Sequence, residues 1–269
     1  MNTASAKTVL AVSGLDPSGG AGLLIDAAAI RAAGCHASGV VSVSTIQDGE
    51  HFYEARTADL IHFQTSIETV LGGMDVGAVK VGALKSVAGT EVAARIFARP
   101  GTPKVVIDPV ILSTSGGRLL DEDAISVVKT SLFRTAALVT PNLLEAGLLA
   151  GIPVQTIDDM ILAASRILDF GPAAVLVKGG HLKGNTAEDV FADNTGEIRI
   201  LHPIPKLGYE VRGTGCALSS LIAAWIARGL TTADAIEQSR SMLNYAVQNA
   251  CDVGKGPRVL GDFFCRCGI

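Results

Sequence analysis

The sequence predicts an α/β fold: a three-layer α/β/α domain built on a doubly wound, mostly parallel sheet. Three observations carry this. Short apolar, often β-branched runs alternate with Ala- and Leu-rich helical stretches along the chain, the order that yields parallel sheets covered on both faces. The composition is 48% hydrophobic, 18% charged and only 4% aromatic, so aliphatic side chains and glycine fill the core, as suits a sheet buried between helices. Polar and Gly/Pro motifs recur directly after the apolar runs, where ligands collect at the C-terminal ends of strands.

In chain order, Thr8–Ser13 reads as a short strand ending at Gly14, and Gly22–Gly34 as an Ala-rich helix stopped by Gly34. Ala37–Thr45 is β-branched and reads as a strand; Thr57–Leu71 reads as a helix with Thr57 as its cap. Ala78–Val81 is a buried strand and Ala88–Arg99 a helix. Lys104–Ile107 is a strand ending at Asp108-Pro109, followed by a helix over Glu122–Ser131 and a strand over Ala137–Thr140. A helix over Pro141–Ala150 starts with proline near its first turn, where the missing N–H is tolerated. Ile157–Phe170 is helical and Ala174–Lys178 a strand. Val190–Ala192 and Glu197–Leu201 flank Asn194-Thr-Gly196, a hairpin signal. Helices then run from Gly215 to Asn249. No linker or break in composition divides the chain, which predicts a single domain over residues 1–269.

The net charge of -4 gives no reason to expect nucleic acid or an acidic membrane as partner. No apolar run approaches a membrane span, and no basic region followed by a long apolar core marks a signal peptide. Five cysteines without repeating spacing fit a reducing compartment, so a cytoplasmic location is expected. Cys265 and Cys267 lack a second ligand pair nearby and read as tail residues, not metal ligands.

The densest motif is Val211-Arg-Gly-Thr-Gly-Cys-Ala-Leu-Ser-Ser220. Gly213 and Gly215 permit a tight turn whose N–H groups converge. The following helix, expected to be amphipathic and stopped by Gly229, adds partial positive charge at its start. Gly213, Thr214, Gly215 and Cys216 therefore form an expected anion hole, and the same field is expected to lower the Cys216 thiol pKa. Cys216 reads as a proton relay, as a nucleophile needing a histidine in reach, or as an inert buried thiol.

Gly14-Leu-Asp-Pro-Ser-Gly-Gly-Ala-Gly22 is neither a P-loop nor the dinucleotide fingerprint. It reads as a substrate loop with Asp16 as acceptor, or as a tight turn that Asp16 caps. Asp108-Pro-Val110 follows a strand, and Asn142 and Glu145, three apart, share one helix face. Carboxylate and amide oxygens can hold Mg²⁺ through waters; the same spacing is also helix-start chemistry. Lys178-Gly-Gly-His181 ends a strand, where lysine suits a nucleotide phosphate and equally a solvated turn.

Together these segments, with the Gln47 region, Lys80-Val-Gly82 and Thr140-Pro-Asn-Leu-x-Glu-Ala146, resemble the hydroxymethylpyrimidine/phosphomethylpyrimidine kinases of thiamine biosynthesis, which have the ribokinase-like fold. The resemblance runs in order from about residue 8 to 250, and Gly-Thr-Gly-Cys is its more diagnostic part, since most ribokinase-like enzymes carry Gly-Ala-Gly-Asp there. It implies phosphorylation by Mg·ATP of 4-amino-5-hydroxymethyl-2-methylpyrimidine, then of its monophosphate, by a dimeric enzyme. By position it implies that Gly213–Cys216 hold the transferring phosphate, with Cys216 near the hydroxyl. Asp108 and Glu145 would organise Mg²⁺ with Asn142 nearby, and Lys178 would approach the ATP phosphates. Asp16, Ala21, Gln47 and Val110 would line the pyrimidine pocket, Gln47 reading the amino and ring-nitrogen edge.

The chain departs from that pattern at four places. Ser44-Thr-Ile-Gln-Asp-Gly49 replaces Thr-Ala-Gln-Asn-Thr, and Ala83 stands where methionine packs on the ring, which predicts a roomier pocket. Leu15 replaces a small polar residue, and Arg212 stands where histidine is common. Related pyridoxal kinases can share the cysteine, so pyridoxal or pyridoxine phosphorylation is the nearest alternative. A non-catalytic ligand-binding relative and a thiol hydrolase are further readings; intact Asp108, Glu145 and Cys216 speak against the first, and the absence of a histidine signature against the second.

Overall fold

In the computed structural model, which describes residues 6–113, 116–180, 182, 186–202, 204–205 and 207–261, the chain alternates strand and helix. β1 (Thr8–Leu15) leads through a glycine-rich loop to α1 (Gly22–Ala32), then to β2 (His36–Gln47) and β3 (Phe52–Thr57). There follow α2 (Leu60–Gly73), β4 (Val76–Val81), α3 (Val87–Phe97) and β5 (Lys104–Ile107). α4 (Glu122–Val127) runs on as a π turn over Val128–Leu132 and a 3₁₀ turn over Phe133–Thr135. Next come β6 (Ala136–Val139), α5 (Leu143–Ala150), α6 (Ile157–Leu168) and β7 (Ala174–Val177). The last part holds β8 (Thr186–Ala187), β9 (Val190–Asp193), β10 (Ile198–Ile200), β11 (Ile204–Pro205), β12 (Val211–Arg212), α7 (Thr214–Ala227), α8 (Thr232–Gln248) and β13 (Arg258–Val259).

The main sheet has the order β10-β9-β7-β6-β5-β4-β1-β2-β3. β2, β1, β4, β5, β6 and β7 are mutually parallel, while β3, β9 and β10 pair antiparallel at the two edges. Strand residues alternate between two cores. Leu10, Val12, Val79, Val81, Val105 and Ile107 pack with α2–α6, while Val9, Ala11, Ala78 and Val106 pack with α1, α7 and α8. The three-layer arrangement is thus the one predicted.

Two expectations need correction. Thr57 ends β3 and caps nothing; the cap of α2 is Asp59, whose carboxylate accepts from the His62 N–H at 2.8 Å. α7 is not amphipathic: every residue from Ala217 to Ala224 is buried, because the helix lies between the sheet and its neighbours α1 and α8. A helix apolar all round is an interior helix. Gly229 does stop it, with φ +96°. Among the described residues no helix is long and apolar enough to cross a membrane. Cys265, Cys267 and His181 lie outside the described residues.

Candidate active site

The C-terminal ends of β1, β4, β5, β6 and β7 face the start of α7. Two glycines make this convergence possible. Gly213 has φ +76°, and a Cβ there would overlap the Gly20 carbonyl. Gly22 has φ +62°, and its Cβ would overlap the Gly14 carbonyl. The loop after β1 is thereby pressed on the turn before α7. No side chain caps α7, so the N–H groups of its first turn stay free for another acceptor.

Lys178 and Asp108 stand over this turn. Lys178 Nζ donates to Asp108 Oδ1 at 2.7 Å. A Cβ on Gly215 would lie 3.0 Å from Lys178 Nζ and 3.7 Å from Asp108 Oδ2, so a side chain there would press on the lysine ammonium group. Lys178 is placed by its backbone N–H, which donates to the Pro141 carbonyl at 2.8 Å. Burial works against its charge, but Asp108 and Glu145 outweigh that and hold its pKa above the usual lysine value.

Asn142 and Glu145 form a reciprocal capping box at the start of α5, with the Asn142 N–H donating to Glu145 Oε2 at 2.8 Å and the Glu145 N–H to Asn142 Oδ1 at 2.9 Å. The helix-start reading of this spacing is therefore realised. Glu145 keeps further acceptor capacity and is 4% exposed. Burial, with the Asp108 charge beside it and against the pull of Lys178, lifts its pKa to about 7.

Cys216 contradicts its expected acidity. Its thiol pKa is pushed up to about 12, by burial first, with Asp26 and Asp108 adding to the rise; Lys80 and the Gly22 N–H only partly oppose it. The residue retains some accessible surface, yet protein crowds the sulfur. The helix start is real, but two carboxylates and desolvation outweigh its field.

Beneath the cysteine lies an ion pair that the sequence reading did not assign. Lys80, fully buried on β4, donates to both Asp26 oxygens at 2.9 and 2.8 Å and to Ser13 Oγ at 2.9 Å. Ser220 Oγ of α7 donates to Asp26 Oδ1 at 2.8 Å. Burial penalises the Lys80 charge, but Asp26 chiefly, with Cys216 and Asp108, raises its pKa. The signal was a lysine inside Val79-Lys80-Val81 and an aspartate inside the Ala-rich α1.

Arg212 joins the segments of the expected ring pocket. It is 3% exposed. Nη2 donates to Asp16 Oδ2 at 3.3 Å and to Gln47 Oε1 at 3.2 Å, and Nη1 to the Asp48 carbonyl at 2.9 Å. Its Nε is buried without a partner among the described residues, which costs about 1–3 kcal/mol. Asp16 also accepts from the Ser18 N–H and hydroxyl at 2.9 and 2.7 Å, so it both caps its turn and meets Arg212. Ala21 is the extended residue before α1.

Ala83 and Val110 meet Val43, Leu119, Phe52 and Ala55 in one apolar cluster. The surroundings of Ala83 do not support the expected roomier pocket: it is 5% exposed and belongs to one apolar cluster with Leu119 and Phe52. Phe52 lies on β3, the strand absent from the sequence reading, and is paired in register with Gln47. All four described histidines, His36, His51, His62 and His202, are exposed. The groups acting on the Cys216 thiol are Lys80, Asp26, Asp108 and the Gly22 N–H. The nucleophile reading therefore lacks its base among the described residues.

The sequence model of the phosphomethylpyrimidine kinase family matches residues 16–260. A probable thiamine biosynthetic bifunctional enzyme of Oryza sativa is 37% identical over 254 residues, 93% of this chain but 46% of its own. The chain thus spans under half the length of that relative. A hydroxymethylpyrimidine/phosphomethylpyrimidine kinase of Aquifex aeolicus is 31% identical, with 93% of this chain and 98% of that one covered. The structure of a Bacillus subtilis pyridoxal kinase in complex with ADP superposes with TM-score 0.85 at 27% identity, covering 96% of this chain and 98% of the other. The fold is accordingly the ribokinase-like one. On this match of sequence and architecture, the chain belongs to the phosphomethylpyrimidine kinase family.

Proposed function

We propose that the protein transfers the γ-phosphoryl group of Mg·ATP to the hydroxymethyl group of 4-amino-5-hydroxymethyl-2-methylpyrimidine, and then to the resulting monophosphate, for thiamine biosynthesis. The observation that carries this is the meeting of Lys178, Asp108 and the uncapped α7 start at Gly215. Phosphoryl transfer needs positioning and charge neutralisation more than covalent chemistry. The first-turn N–H groups of Gly213–Cys216 would receive charge developing on the transferred group, and Lys178 would meet the ATP phosphates. Cys216, a neutral thiol at pH 7, orients the acceptor hydroxyl by hydrogen bonding and is no standing thiolate. A late proton departure suits a loose transition state.

Mg²⁺ fits the residues present. The described residues hold no cluster of three or more His, Cys, Asp or Glu that could enclose a metal, but Mg²⁺ is ordinarily held by one or two carboxylates, waters and substrate phosphates. Burial, with the Asp108 charge adding to it against the pull of Lys178, lifts Glu145 to about 7, and a divalent cation beside the two carboxylates would favour their charged forms. These two, with Asn142, would hold it, and it would neutralise the β- and γ-phosphates. Gln47, Asp16, Ala21, Ala83 and Val110 would frame the ring. A second copy of the chain is the proposed partner, supported by the exposed Ile46, Tyr53 and Ile61 on the β2–β3 ribbon and α2.

The test is ADP release with Mg·ATP and, side by side, the hydroxymethylpyrimidine, its monophosphate and pyridoxal. Turnover of both pyrimidines supports the proposal. Turnover of pyridoxal alone moves the substrate to the one named for the Bacillus subtilis neighbour, and turnover of none removes the proposed substrates and turns attention to a new substrate or a binding role.

A further inference from the structure

We propose that Arg212 is the specificity-determining residue of the ring pocket: it locks the Gln47 side-chain amide in one orientation, so that the pocket accepts an amino-pyrimidine edge and rejects the oxo isostere. The inference rests on the pyrimidine reading above and adds to it the residue that sets the hydrogen-bond polarity.

Gln47 is held at both ends. Its Oε1 accepts from Arg212 Nη2 at 3.2 Å, and its Nε2 donates to Thr45 Oγ1 at 2.9 Å. The Thr45 hydroxyl proton is itself committed to the Leu15 carbonyl at 2.9 Å, so toward Gln47 that oxygen can only accept. The guanidinium can only donate. A flipped amide would set NH₂ against guanidinium and oxygen against oxygen, losing both bonds and making both contacts repulsive. Arg212 cannot swing away, because it is buried and also tied to Asp16 and the Asp48 carbonyl.

One Gln47 N–H and one Oε1 lone pair remain for a ligand. They match a ring edge with an acceptor nitrogen opposite Nε2 and an amino donor opposite Oε1. A 4-oxo ring presents the reverse, a ring N–H and a carbonyl. Turning that ring over restores the pairing but carries its 5-hydroxymethyl group away from Cys216. A site built to hydrogen-bond one pattern rejects the mismatched one because its own polar groups are left unpaired.

The experiment titrates wild type, Arg212→Met and Arg212→Lys calorimetrically with 4-amino-5-hydroxymethyl-2-methylpyrimidine and with its 4-oxo counterpart. Wild type is expected to prefer the amino ring by at least ~100-fold, and Arg212→Met by less than ~10-fold. Arg212→Lys, still a pure donor, regains part of the preference. An unchanged ratio in folded Arg212→Met overturns the proposal. A second measurement needs no ligand: in wild type, NMR should show NOEs from the Gln47 amide protons to the Thr45 side chain, and their absence overturns the lock even if Arg212→Met fails to fold. Wild type that binds neither pyrimidine removes the proposed substrate and the ring-edge half of the proposal, while the NOE still decides the orientation.

Discussion

Replacing Lys80 by methionine should cost far more stability than its volume suggests. Lys80 and Asp26 are both fully buried, and Lys80 makes three hydrogen bonds, two of them to the carboxylate. Methionine fills most of the lysine stem but leaves Asp26 with Ser220 as its remaining side-chain donor. Breaking a buried pair on one side costs about 3–5 kcal/mol, because a charge is left without compensation. For a chain of this size that is a Tm drop of roughly 6–20 °C. Lys80→Met combined with Asp26→Asn removes both charges and should recover at least about 2 kcal/mol relative to the sum of the single changes. The Lys80 pKa is raised in the folded state. Its contribution is therefore fully present below the unfolded lysine value, near pH 10, and is lost only as pH rises through the folded value. Urea denaturation of wild type, both single variants and the double variant measures this cycle. A Lys80→Met loss below about 1 kcal/mol, or strict additivity of the two changes, would refute the reasoning.

Four further outcomes follow from the site. At pH 8 a thiol of pKa about 12 is ionised to only ~10⁻⁴, so iodoacetamide should label exposed Cys251 well before Cys216; equal rates by peptide mass spectrometry would place the thiol pKa much lower. In protein free of metal and nucleotide, Glu145 is raised to about 7, so its contribution is full below its unfolded value and is lost as pH rises through 7. Glu145→Gln should thus gain up to about 3 kcal/mol on wild type between pH 5 and pH 8, read from Tm at each pH, and parallel curves would contradict it. Gly213→Ala must leave φ +76° or displace the Gly20 carbonyl, and should lower stability by about 1–3 kcal/mol and abolish turnover; wild-type activity would show the turn to be dispensable. Lys178→Met should lower kcat by roughly 10²–10³-fold, the size expected for one transition-state donor, and unchanged kcat would remove Lys178 from the proposed chemistry.

The parallel strands and their helices were legible because each is a short apolar run or a longer helix-forming stretch bounded by glycine, proline or a cap, even where, as in α7, the helix is buried on all sides. Asn142 and Glu145 carried a local signature, three residues apart, that needed no tertiary knowledge. β3 was not legible: Phe52–Thr57 lies at the sheet edge, half-buried or exposed throughout, so its residues show no core-facing alternation. Its loss also hid Phe52, and with it the true packing around Ala83. The acidity of Cys216 was not legible because the local turn favours a thiolate, whereas the burial that chiefly raises its pKa, with Asp26 and Asp108 adding to it, is made by distant segments. Lys80 and Asp26 are 54 residues apart, a separation at which no spacing rule applies. Arg212 stood out in the sequence only as a departure from pattern; the three segments it ties together are visible only in the fold.

The most direct measurement is ³¹P NMR of the purified protein with Mg·ATP and 4-amino-5-hydroxymethyl-2-methylpyrimidine monophosphate. Growth of the two coupled resonances of a pyrimidine diphosphate, matched by ADP, is the expected result. Release of inorganic phosphate alone, or an unchanged monophosphate signal, would contradict the assignment of Lys178, Asp108 and the Gly213–Cys216 turn to phosphoryl transfer onto this substrate.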